Sequence, residues 1–155
     1  MSQRHLARTI ALQVISEWDF NHISNSQKTN LSETIDLIIH SYAPQDFNEQ
    51  KFVNELASGV IKNLETIDQQ LRNFAPEWPI DKITIIDRNV LRIGIFELLY
   101  TPNTPPKVVI NEAIESAKDF GSANSPKFIN GVLGAIYENL KNNQTASETS
   151  SSQNA

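Results

Sequence analysis

The chain has 155 residues, 39% hydrophobic and 20% charged, with no cysteine and a formal net charge of −5. A domain of this length buries roughly 70% of its unfolded surface, and the missing thiols exclude a disulfide framework, a zinc ribbon and a cysteine nucleophile. Net negative charge argues against indiscriminate nucleic-acid binding, no apolar run approaches the roughly 20 residues that span a bilayer, and the N-terminus lacks a signal peptide's apolar block, so a cytoplasmic protein without a membrane partner is expected.

Helical periodicity recurs from one end of the chain to the other, and an all-α fold of about seven helices is expected. The first runs from about Gln3 to Asp19, with Leu6, Ile10, Ala11, Val14, Ile15 and Trp18 on one stripe, followed by a polar connection from Asn21 to Asn30. Asn30 and Glu33 have capping-box spacing ahead of Leu31, Ile35, Ile38 and Ile39. Asp46 and Glu49 repeat that start signal before Phe52, Val53, Leu56, Ala57 and Val60. A shorter helix carries Ile67, Leu71 and Phe74, with a bend near Glu65. The run Ala75-Pro76-Glu77-Trp78-Pro79 then interrupts the chain and divides it into halves of about 1–75 and 80–141, with Trp78 expected to shelter the boundary.

The fifth helix, Thr84 to Tyr100, is apolar all round and should be central. Pro102, Pro105 and Pro106 separate it from a helix bearing Val108, Val109, Ala113, Ile114 and Ala117. Phe120-Gly121 closes that helix, glycine being the residue that takes the left-handed closing conformation. Ser125-Pro126 opens the last, as cap and first helical residue. Within it Gly131 and Gly134 each cost about 1 kcal/mol against alanine, so close helix packing is expected there. Residues 142–155 are polar, bury no apolar face and should form a disordered tail.

No catalytic constellation is present. His5, His22 and His40 lie on separate segments without metal-ligand spacing, the five glycines stand singly rather than in a phosphate cradle, and neither enzyme activity nor a cofactor is expected. Charge is unevenly distributed: residues 1–16 hold Arg4, His5 and Arg8 and no acid, while most carboxylates fall between Glu17 and Asp87. That asymmetry suits one cationic, amide-rich ledge for RNA on an otherwise acidic molecule.

The stretch Lys107–Leu133 resembles the NusB family of bacterial transcription antitermination factors. The matching residues are Val109-Ile110-Asn111-Glu112-Ala113, Ala117-Lys118, Phe120-Gly121, Ser125, and Lys127 to Leu133, preceded by Asp87, Val90 to Ile93, Phe96 to Leu98, Ala7-Arg8, Ala11 and Gln13. They run in one order over about 4–140. The resemblance implies an all-helical fold of two packed sub-bundles. It also implies an adaptor that binds single-stranded boxA RNA from ribosomal RNA leaders together with the ribosomal protein NusE, and acts on the RNA polymerase elongation complex with other Nus factors. A homodimer is compatible with the family, in which monomers and dimers both occur.

By this resemblance the RNA site comprises Arg4, His5 and Arg8, where His5 and Leu6 replace arginines common in the family, and the turn with Asn124, Ser125, Lys127 and Phe128. The turn also has a physical rationale in a helix N-terminus, a cation and a ring for stacking. Asp81, Asp87 and Arg88 are the residues implied to meet NusE, and Arg92 and Glu97 are read as structural. Two rival readings stay open: an RNA-binding fragment of a ribosomal RNA cytosine methyltransferase, and a helical dimerisation scaffold.

Overall fold

The computed structural model describes the backbone of residues 2–25 and 30–153 and the side chains of residues 2–23 and 30–144. Among these residues the helices are α1 (Gln3–Asn25), α2 (Leu31–Tyr42), α3 (Gln50–Lys62), α4 (Leu64–Phe74), α5 (Ile85–Tyr100), α6 (Pro106–Phe120) and α7 (Ser125–Gln153), with a 3-10 turn at Ile80–Lys82 and no strand. The all-α reading with seven helices therefore holds.

Chain chemistry explains most helix ends. Asn30 Oδ1 accepts from the Glu33 amide at 3.2 Å, and Thr84 Oγ1 accepts from the Asp87 amide at 3.3 Å, so two starts are capped by side chains. Proline opens α6, where a missing N–H costs nothing. The start expected from Asp46 is corrected: α3 begins after Glu49, which makes no side-chain cap. Helix α1 outlasts its expected end by six residues, reaching Asn25. Once a helix is nucleated, each further residue adds a hydrogen bond at little cost. The rest of that expected connection, 26–29, lies outside the described residues. At the other terminus the backbone of α7 stays helical past 141, although residues 141–144 are exposed. The tail expected over 142–155 otherwise concerns side chains outside those described.

Helix α5 is the centre. Every residue from Asp87 to Glu97 is buried, and α1, α3, α4, α6 and α7 all pack on it. Helices α1, α2 and α3 pack on one another, whereas α4 packs on α5 and α7. By contact, α4 packs chiefly on α5 and α7 and less on α3.

The glycines correct two expectations. Gly121 ends α6 at φ −94°, not in the left-handed region. It is glycine because a Cβ there would lie 2.6 Å from Ser125 Oγ and 2.8 Å from the Ala117 carbonyl. Close helix packing occurs at Gly59, against the Phe96 ring, and at Gly94, where a Cβ would lie 2.7 Å from Leu133 Cδ1. Gly131 and Gly134 face open space instead.

Candidate nucleic-acid interface

The N-terminal basic residues do not form a ledge. Arg8 is buried, and its guanidinium is held by the equally buried Glu97: Nη2 donates to Oε1 at 2.9 Å and Nε to Oε2 at 3.1 Å. Packing α1 on α5 creates this pair, and the low dielectric around it makes an unpaired charge there costly. His5 Nδ1 meets Glu112 of α6. Arg4 alone is exposed; it stacks over the Phe52 ring, 3.9 Å to the centroid, and lies 3.4 Å from Glu49. The expected RNA contact through Arg8 is therefore corrected to an interior ion pair.

The turn before α7 is built from the inside. Ser125 is 1% exposed; its Oγ accepts from the Ser122 amide at 2.9 Å and donates to Asp87 Oδ2 at 3.0 Å. It ties the turn to the first turn of α5. Asn124 and Lys127 are exposed and Phe128 is half-buried against the core. The two expected parts of the RNA site are not brought together. Arg8 anchors near Glu97 and Ser125 near Asp87, about 15 Å apart along α5 at 1.5 Å per residue.

Two adjoining clefts open at the α7 turn. The first, of about 260 Å³, is lined among others by Trp78, Lys82, Thr84, Asp87, Asn124 and Phe128. The second, of about 490 Å³, shares Trp78, Asn124 and Phe128 and adds Pro76, Lys127 and Gly131. Two aromatic rings thus border a groove whose rim carries two lysines. Asp87 Oδ1 is buried and has no hydrogen-bond partner among the described residues, while Oδ2 is taken by Ser125. The two rings and two lysines suit a stacked base and a nearby phosphate. Trp78, expected inside the boundary, is 54% exposed. Sequence reasoning also missed Lys82 and Thr84. A lone lysine after a proline-rich run carries no signal, but a tryptophan between two prolines was a usable one.

Of the residues implied to meet NusE, Asp87 and Arg88 are buried and only Asp81 is exposed. Arg88 serves the interior: Nε donates to Asp19 Oδ2 at 2.6 Å and Nη1 to the Ile83 carbonyl at 3.2 Å. Asn89 and Arg92 also donate to Asp19 Oδ2, at 2.9 and 3.1 Å, and Arg92 forks onto Asp68 with two bonds of 2.9 Å. The structural reading of Arg92 and Glu97 agrees with this. Burial pushes the Asp19 carboxyl up, but hydrogen bonds from Arg88 and Asn89 and the charges of Arg92 and Arg88 outweigh it and hold the group below its ordinary value. Among the described residues no cluster of histidine and acidic side chains is arranged to hold a metal, and no helix is long and apolar enough to cross a membrane.

The family model for NusB matches residues 5–138, nearly the whole described body. The chain belongs to the NusB family. A transcription antitermination protein NusB of Dehalococcoides mccartyi is 38% identical over 141 residues, which cover 90% of this chain and 92% of that protein. T. maritima NusB superposes with a TM-score of 0.76 at 27% identity, covering 89% of this chain and 92% of the other. A crystal structure of antitermination factors NusB and NusE in complex with double-stranded RNA contains a chain matching at TM-score 0.76 and 25% identity, over 89% of this chain and 98% of that one. NusB-family proteins are antitermination factors and not enzymes, in agreement with the absence of catalytic chemistry expected from the sequence.

Proposed function

We propose that this NusB-family antitermination factor binds a single-stranded boxA element in ribosomal RNA transcripts, and does so together with NusE. The pair is then carried by the RNA polymerase elongation complex with other Nus factors in the cytoplasm. The observation that carries this reading is the groove shared by Trp78 and Phe128, with Lys82 and Lys127 at its rim. Rings accept any base by stacking, and lysines meet phosphates. The strand runs over Asn124, Lys127 and Phe128, with Arg4 an outlying cation. Asp81 on the 3-10 turn is the residue offered to NusE, a contact that charge complementarity with a basic partner would favour. The known RNA complex of a NusB with NusE supports the pairing of the two partners.

Anisotropy titration of boxA RNA, with and without NusE, tests the reading. Lys127→Ala and Phe128→Leu, the second keeping an apolar side chain while removing the ring, should each weaken binding by about tenfold. Wild-type affinity in both variants, or equal binding of a scrambled strand, would overturn it.

A further inference from the structure

Gly131 sits on α7 one turn beyond Phe128, and nothing about the fold requires a glycine there. Its backbone is ordinary helix. A Cβ built on it would meet no atom within 4 Å, whereas at Gly59, Gly94 and Gly121 a Cβ would approach a neighbour to 2.7 Å or less. Neither a left-handed conformation nor a close approach within the molecule accounts for it. Alanine would fit and would favour the helix by about 1 kcal/mol. What distinguishes the position is the cleft beside it: Gly131 lines the second cleft together with Lys127, Phe128, Pro76 and Trp78. Gly134, equally open, does not line it.

The two clefts also differ chemically. The first is lined by the polar side chains of Lys82, Thr84, Asp87 and Asn124. The second is walled by Phe74, Phe128 and Val132, with the Lys127 cation at its mouth. Rings and a cation hold any nucleotide without reading it. We propose that the second cleft is a separate, sequence-tolerant nucleotide pocket, and that Gly131 keeps it open so that two consecutive nucleotides of one strand straddle Phe128. A glycine that lowers helix stability in exchange for ligand space is a trade of stability for function. The inference rests on the RNA reading of the groove given above.

Three measurements on the full chain with boxA RNA and NusE test it: melting temperature, RNA affinity, and an abasic scan in which each base is removed in turn. Gly131→Ala should raise the melting temperature and weaken RNA binding by about tenfold, the scale of one lost stacking contact. Gly134→Ala should raise the melting temperature and leave affinity unchanged. In the scan, wild type should lose affinity at two adjacent positions and Gly131→Ala at only one of them. Wild-type affinity and an unaltered scan in Gly131→Ala, with Phe128→Leu still impaired, would overturn the second pocket and leave the RNA reading standing. If Lys127→Ala and Phe128→Leu also bind normally, the RNA reading fails and the second pocket with it.

Discussion

Arg8 and Glu97 are separated by 89 positions in the chain and by 2.9 Å in the molecule. A short N-terminal run of basic residues reads the same whether its cations face water or a buried carboxylate, so the sequence could not tell an RNA contact from an interior ion pair. Removing one partner strands the other in a dry site. Arg8→Ala should therefore destabilise the protein by about 3–5 kcal/mol, measurable by urea denaturation. Arg4→Ala should cost no more than about 1 kcal/mol, the scale of an exposed cation–ring contact. A near-neutral Arg8→Ala would mean that Glu97 finds another partner. Ser125 carries the same lesson: its value as a link to Asp87 depends on a carboxylate 38 residues upstream.

At the scale of helices the sequence was far more legible. Apolar periodicity, Asn30 and the prolines are local signals, and they located the seven helices and the central place of α5. The glycines were misread because their meaning depends on which helix lies opposite. Gly94 admits Leu133 of α7 onto the α5 backbone, so Gly94→Ala should overpack that contact and cost about 1–3 kcal/mol despite alanine's better helix propensity. Calorimetry against Gly134→Ala, where the same change meets open space, isolates the packing contribution. Equal melting temperatures in the two variants would show that Leu133 simply moves aside. Trp78 belongs with these cases, since whether a ring between two prolines covers a boundary or walls a cleft depends on where α7 begins.

At the scale of the whole molecule, Asp19 on α1 collects Arg88, Asn89 and Arg92 of α5, and Arg92 reaches on to Asp68 of α4. This network ties α1, α4 and α5 together, and none of its long-range partners can be inferred from spacing. It predicts a pH response. The folded Asp19 carboxyl lies below its ordinary value of 3.8, so its stabilising contribution is complete above about pH 4 and is lost as pH falls through the lowered value. Asp19→Asn should be less stable than wild type at neutral pH, with the gap narrowing below about pH 4. Denaturation at several pH values checks this, and a gap that stays constant into acid would dismiss the role assigned to Asp19.

Because Arg8, Arg88 and Arg92 discharge against carboxylates in the dry interior, dissolved ions have little access to the pairs that hold the frame. The outward cations at the groove, Lys82 and Lys127, enjoy no such shelter. If the groove holds RNA as proposed, ionic strength becomes a release lever for the transcript alone: a rise in potassium would compete for phosphates and loosen the polyanion, while the scaffold that presents the groove keeps its shape.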